Sequence, residues 1–444
     1  MKEKLAIFGG DTTVKADPKD IFTWPIVNKE MEDAVLDVLR KGKMSATDIT
    51  KEFEQGYAEW HGMKYGLGCN TGTAALHCSF FGIGIGKGDE IICPSLTYWA
   101  SCLPVYSLGA TVVFADVEPD TLCIDPDDIE RKITDKTKAI LVVHYCARPA
   151  DMDRIMGIAK KHNLKVIEDV SHAHGALYKG KMVGTFGEVT AFSCMSGKSF
   201  AIGEAGIMLT NDREIYERAA IFGFYERAPE LTIDYLKAGA GLPWGGYKYR
   251  MHQMSSAVGR EQLKKYPSEM AEIDKAMNYF WDALEGLPGI RSPRPPKDSG
   301  ITMGAWYASL GHYKTEELDG LSISRFCEAL RAEGASIFPG CNRALHQHPL
   351  FSDIDVYNDG KPTRIANSNQ DIRKLDGVLP VSDGIQTKVF GVPWFKKFYP
   401  EIIDEYTAAF KKVIGNYKEL LAEDTGDPTD LGRWMLSAKA VSGK

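Results

Sequence analysis

A lysine amine whose surroundings strip its proton can form a Schiff base with an aldehyde and later carry a proton between atoms. Lys198 lies beside Gly197 between two predicted strands, where such an environment can be built. An aspartate at the end of a buried strand, here Asp169, can pair with a protonated ring nitrogen. The turn Thr71-Gly72-Thr73 opens a predicted helix, and the free amides of a helix start bind anions where glycine permits close approach. Ser193 can add a hydroxyl to that anion site, and Tyr98 can stack on a flat ring. Singly each has an ordinary explanation: a cap, a turn, a solvated charge. Their common position relative to the strands sets them apart.

Those strands are read from short apolar runs over 65–69, 90–93, 111–116, 139–144, 164–169, 188–193 and 206–210. Helical patterns lie between and around them, over 28–40, 47–60, 74–81, 99–108, 126–132, 152–162, 251–265 and 269–287. Asp125 is placed to cap the helix at 126, with Pro126 in its first position. Near-continuous apolar strands alternating with helices predict an α/β fold with a buried, mostly parallel sheet. In such sheets ligands sit beyond the carboxyl ends of the strands. Thr71–Thr73, Ser95–Tyr98, Asp169 to His172, and Ser193 with Lys198 all follow strand ends, so they are expected to converge on one cleft. A ligand with an aldehyde, a ring nitrogen and a phosphate, pyridoxal 5′-phosphate (PLP), gives each of them a task.

Residues 1–265 are expected to form an N-terminal segment and the large α/β domain, and 266–444 a smaller α+β domain. The Pro-rich stretch 288–296 reads as a linker. A strand over 305–313 and helices over 322–333 and 399–423 follow it.

The net charge of −7 argues against nucleic acid or an anionic membrane as partner. The apolar run near the start is too short for a secretory leader, and no run approaches a membrane span. Nine cysteines, with no C-x-x-C pair, read as reduced buried thiols of a cytoplasmic protein. The glycine series 82–88 follows a helix and precedes a strand, the reverse of a dinucleotide fingerprint, which disfavours a nicotinamide oxidoreductase. Neither His172/His174 nor His346/His348 is followed by further ligands at a metal spacing, so no metal site is expected.

Several blocks together resemble the DegT/StrS family of PLP-dependent sugar and cyclitol aminotransferases, of fold type I. They are Thr71-Gly72-Thr73-Ala74-Ala75-Leu76-His77, Pro94-Ser95-Leu96-Thr97-Tyr98, Ile167 to Gly175, Phe192 to Lys198 followed by Gly203-Glu204-Ala205-Gly206, and Tyr247-Lys248-Tyr249-Arg250. The likeness spans roughly residues 28–266 and continues weakly to the end. It implies Lys198 as the Schiff-base lysine and Asp169 as the ring-nitrogen partner. It also implies Gly72, Thr73 and Ser193 at the phosphate, Tyr98 on the ring face and His172 near the ring or O3′. The implied partners are glutamate or glutamine as amino donor and a keto-sugar or keto-cyclitol as acceptor. The implied assembly is a homodimer with shared sites. A non-catalytic PLP-binding protein on the same fold is the alternative.

The chain departs from the family in places. Ala205 replaces a glycine, which is tolerable at negative φ. Lys248 stands where relatives carry an asparagine that reaches the neighbouring subunit's phosphate. Tyr145 to Pro149 replaces a Gly-rich turn, with Arg148 expected as an exposed loop residue. Segments 225–246 and 342–392 are distinctive and are expected to carry substrate selection.

Overall fold

A computed structural model describes residues 3–365, 367–432 and 434. Helices α1 (Lys29–Arg40) and α2 (Asp48–Trp60) precede the first strand. Then follow β1 (Tyr65–Cys69), α3 (Gly72–Gly82), β2 (Glu90–Pro94) and β3 (Thr111–Ala115). Next come α4 (Pro126–Lys132), β4 (Thr137–Val143), α5 (Met152–His162) and β5 (Lys165–Asp169). A hairpin of β6 (Leu177–Tyr178) and β7 (Lys181–Met182) stands apart as its own small sheet. Strands β8 (Val189–Ser193) and β9 (Gly206–Thr210) complete the main sheet.

That sheet has the order β1-β9-β8-β5-β4-β2-β3. β9 runs antiparallel to both its neighbours, and the other pairings are parallel. Every residue of β2, β3 and β9 is buried, so both faces of the sheet are covered, as unbroken apolar strands require. Asp125 accepts the Asp127 amide at 2.9 Å with Pro126 opening the helix, as its sequence position predicts.

Adjacent residues of a strand point to opposite faces, and the end of β5 uses both. Glu168 is fully buried. Its carboxylate accepts the amides of Gly184, Phe186 and Gly187, each at 2.7 Å, and pairs with His144 Nε2 at 3.1 Å. Burial alone would raise its pKa, but His144 and the amides outweigh that and hold it below the usual carboxylate value. Glu168 thus locks the approach to β8 onto β5 and leaves Asp169 facing the opposite way.

After β9 come α6 (Arg213–Gly223), the short α7 (Asp234–Lys237) and α8 (Gln253–Ala283). The two helices expected over 251–265 and 269–287 are one rod. It passes through Pro267 and through the boundary expected at 265/266. Tyr266, fully buried inside it, donates to the His174 carbonyl at 3.2 Å and shares a hydrogen bond with the Ser199 hydroxyl at 3.0 Å, which ties the helix to the loops after β5 and β8 where a proline removes a backbone donor. Beyond α8, β10 (Ile290–Arg291), β11 (Leu310–Tyr313), β12 (Phe338–Pro339) and β13 (Val389–Gly391) form an antiparallel sheet, ordered β10-β11-β13-β12. Helices Ile323–Ala332 and Pro400–Gly415 accompany it.

Three other expectations shift. The helix expected over 99–108 is a pair of 3₁₀ turns, Trp99–Ser101 and Leu103–Leu108, with Pro104 near the start of the second. The strand expected from 305 begins at Leu310, because Trp306 and Ala308 are left-handed. The long C-terminal helix stops at Gly415. All nine cysteines are free thiols, eight of them buried.

Candidate active site

Four strand ends meet on one edge of the main sheet. Cys69 of β1 and Ser193 of β8 both pair with Gly206 at the start of β9. Asp169 of β5 pairs with Ala191 of β8. The turn after β1 therefore lies against the end of β8. Gly72 shows how tightly: a Cβ there would sit 2.5 Å from Ser193 Cβ. Thr71 caps α3 by accepting the Ala74 amide at 3.0 Å. The amides of Gly72 and Thr73 open the helix and have no acceptor within it. A Cβ on Gly206 would meet the Thr71 carbonyl at 2.3 Å. Ala205 lies outside the left-handed region and is fully buried, so the alanine in the Gly-Glu-Ala-Gly run is accommodated.

This packing yields a prediction. Gly72→Ala pushes the start of α3 away from Ser193 and should weaken PLP binding about tenfold or more. Gly86→Ala, with open space around its Cβ position, serves as control. Equilibrium titration of the two apoproteins with PLP measures the difference, and equal affinities would refute the cradle.

Asp169 is buried, and its carboxylate is held at both oxygens. The Ser101 hydroxyl donates to Oδ2 at 2.8 Å and the Ser171 amide to Oδ1 at 3.1 Å. Ser101 in turn shares a hydrogen bond with Thr97 at 2.9 Å. Lys198 is 8% exposed. Burial pushes its pKa down to about 8, against the opposing pull of Asp169. Its Nζ lies 4.6 Å from the centroid of the Tyr307 ring. His172 accepts the Cys146 amide at Nδ1 (3.3 Å), which leaves Nε2 to carry the proton. Its ring lies 5.5 Å from Tyr145 and 4.8 Å from Tyr307. Burial, and then the charge on Lys198, hold His172 well below the usual histidine range, so it is neutral. His174 is structural: Nε2 donates to the Ser193 carbonyl at 2.9 Å and Nδ1 faces the Tyr57 hydroxyl at 2.7 Å. Ser193 also receives order from Ser171, whose hydroxyl accepts its amide at 2.9 Å.

Tyr98 stands at the rim, 43% exposed, with its ring 5.0 Å from Trp99. Lys248 does not join the cluster. Its exposed side chain lies 5.9 Å from the Tyr225 ring. Its block nonetheless runs beside the anion turn, since Arg250 bridges Cys69 and the Asn70 amide donates to the Tyr249 carbonyl at 2.7 Å. Arg148 corrects the expectation of an exposed residue. It is largely buried, and its Nε and Nη1 have no hydrogen-bond partner among the described residues.

Ser101, Tyr307 and Trp24, whose indole donates to the Lys198 carbonyl at 2.8 Å, were not singled out in the sequence. Ser101 sat inside an expected helix, Tyr307 inside an expected strand, and Trp24 in a segment without pattern.

Residues 25–389 match the profile of the DegT/DnrJ/EryC1/StrS aminotransferase family. The chain is 40% identical over 342 residues to GDP-perosamine synthase of Escherichia coli O157:H7, covering 74% of this chain and 88% of that protein. It is 32% identical over 397 residues to L-glutamine:2-deoxy-scyllo-inosose aminotransferase of Streptomyces kanamyceticus, covering 85% and 89%. Among solved structures it superposes on an aminotransferase from Psychrobacter cryohalolentis with a TM-score of 0.76 at 28% identity, covering 90% of this chain and all of that one. The mostly parallel sheet with its second, smaller sheet is the fold type I architecture of these enzymes. With a buried lysine and an anchored aspartate on the strand edge that the family motifs mark, the chain belongs to the DegT/DnrJ/EryC1/StrS aminotransferase family and is a PLP-dependent aminotransferase.

Proposed function

We propose that this chain transfers an amino group from glutamate or glutamine to a keto-sugar or keto-cyclitol in aminosugar or aminocyclitol biosynthesis, with Lys198 as the lysine that carries the cofactor. The observation that supports this most is the buried Lys198, its pKa near 8, on the same strand edge as the doubly anchored Asp169. The donor and acceptor classes rest on the relatives, one named for L-glutamine and a cyclitol ketone, the other for a GDP-linked aminosugar.

The residues present fit PLP. Gly72 leaves a cradle that a Cβ would fill, and the free amides of Gly72 and Thr73, flanked by Ser193, suit its phosphate. Asp169 would hold the ring nitrogen protonated, Tyr98 would cover a ring face, and neutral His172 would present its Nε2–H toward the ring. When bound, PLP supplies an electron-withdrawing ring that accommodates the electron pair of a broken C–H bond. Lys198 Nζ would take the proton from the donor's α-carbon and deliver it to the cofactor side. It would reverse that transfer when the keto acceptor follows, so ping-pong kinetics are expected.

The protein is proposed to be a cytoplasmic homodimer. Its free thiols support the first. Tyr225, Tyr235, Leu242 and Trp244, all exposed in one segment, support a subunit interface there. Lys248 in that region would reach the partner's phosphate as a point charge. Lys248→Ala should then weaken PLP retention several-fold while the dimer persists; unchanged retention in dialysis removes Lys248 from the site.

The deciding experiment is the absorption spectrum of the PLP-loaded protein before and after glutamate or glutamine, with borohydride trapping and peptide mapping. The proposal expects a yellow band that bleaches with a donor, and a reduced adduct on Lys198. A band that ignores every amino donor would favour the non-catalytic alternative, and failure to take up PLP would overturn the site.

A further inference from the structure

We infer that Trp24, Trp394 and Tyr307 form an aromatic bracket that positions Lys198 at both of its ends. The inference rests on the reading of Lys198 as the cofactor-bearing lysine. The three aromatic residues come from segments far apart in the chain. The Trp24 indole donates to the Lys198 carbonyl at 2.8 Å, and the Tyr307 ring lies 4.6 Å from Lys198 Nζ. Trp394 closes the circuit. Its ring is 5.8 Å from that of Trp24 and 5.5 Å from that of Tyr307, meeting the latter at 89°. Edge-to-face contact of this kind is directional, so Trp394 restricts the tilt of the Tyr307 ring, while Trp24 packs against Trp394 at 48°.

Each member is itself tied down. The Trp394 indole donates to the Ala305 carbonyl at 2.8 Å, which holds the segment bearing Tyr307. Lys396 reaches back to the N-terminal segment, its amide donating to the Ile21 carbonyl at 2.8 Å and its Nζ to the Phe22 carbonyl at 3.1 Å. That same Nζ lies 4.4 Å from the Trp394 ring centroid. The backbone around Tyr307 carries strain: Trp306 and Ala308 on either side are left-handed, at φ 57° and 51°. Side-chain-bearing residues enter that region at a cost, and a pair of them around one ring fixes where that ring points.

The bracket has two consequences for Lys198. Its backbone is held by a neutral donor that leaves the amine free. Its amine faces the negative face of a ring, which favours the protonated form that must exist after each proton abstraction. Tyr307 touches the reacting amine, while Trp24 and Trp394 are positioning residues that act through it and through the backbone.

The test uses the PLP-loaded protein. Tyr307→Leu removes the ring face and Tyr307→Phe keeps it. Trp24→Phe keeps a ring and removes the donor. The readouts are the pH midpoint of the lysine-linked cofactor band without substrate, and kcat and KM with the donor. Tyr307→Leu should lower the midpoint by about half a pH unit, and Tyr307→Phe should restore it. Trp24→Phe should lower kcat about tenfold with KM little changed. A loss of stability alone, with the Tyr307→Leu midpoint and the Trp24→Phe kcat unmoved in the folded, loaded variants, would overturn the bracket while leaving Lys198 in place. A wild-type protein that never gains the band overturns the reading of Lys198 and the bracket with it. If Trp24→Phe does not fold, the Tyr307 pair decides alone.

Discussion

Lys198→Ala should leave a folded protein that binds PLP without a covalent link and turns over at least about 10⁴-fold more slowly. The size follows from two losses at one atom, the nucleophile that holds the cofactor and the base that moves the proton. Folding should survive, because removal of the side chain relieves a buried charge. The pH dependence of the wild type gives an independent check. Burial lowers the lysine pKa to about 8, against Asp169, which raises it. The neutral, nucleophilic fraction therefore grows as pH rises and levels off above about 8. At pH 7 about a tenth of the amine is neutral, against about one part in three thousand for an unperturbed lysine. Covalent PLP uptake by the apoprotein should accordingly rise with pH from 6 and flatten above 8. A rate still climbing tenfold per unit beyond pH 9 would contradict the burial argument. Residual turnover of Lys198→Ala within tenfold of wild type would remove Lys198 from the chemistry.

Asp169→Asn is the second large effect. The wild-type carboxylate is oriented by the Ser101 hydroxyl and the Ser171 amide, so it is held in a fixed geometry. Asparagine keeps the shape and loses the charge. A charge-assisted bond of the kind proposed to the ring nitrogen is worth roughly 1.5–3 kcal/mol, so the half-reaction should slow by about 10- to 10²-fold. Cofactor affinity should fall less, because the proposed phosphate cradle at Gly72 and Thr73 is untouched. Ser101→Ala removes only one of the two orienting donors and should cost less than tenfold. Single-turnover rates with the donor compare both variants with the wild type, and a PLP titration measures the affinity. An Asp169→Asn rate within threefold of wild type would show that the carboxylate does not control the ring.

The acid side of the site was readable in the chain because it is built from local rules. A strand buried on both faces must be apolar throughout, and the residue that ends it faces the ligand edge of a parallel sheet. Asp169, Ser193 and the Thr71 turn each satisfy that rule within a few residues of a strand, and the structure places them together. Pro126 behind Asp125 was readable for the same reason, since a cap and its helix are neighbours in sequence.

What escaped depends on contacts between distant segments or on backbone that side-chain pattern does not report. The run 305–313 reads as a strand, yet left-handed Trp306 and Ala308 break it, and the Tyr307 ring between them lies against Lys198. Pro267 reads as a break, yet buried Tyr266 and its two hydrogen bonds keep α8 continuous. Arg148 follows a turn and reads as exposed, yet the structure encloses most of it. Trp24 lies 174 residues from the carbonyl it holds.

The sequence by itself determined which residues stand at the strand edge, because hydrophobic period and turn composition already dictate which side chains leave a buried parallel sheet on its ligand side. Only the tertiary structure decided how Lys198 is held. That depends on the second sheet and the N-terminal segment closing over it, and the packing energy that selects this arrangement is shared among residues no local pattern connects.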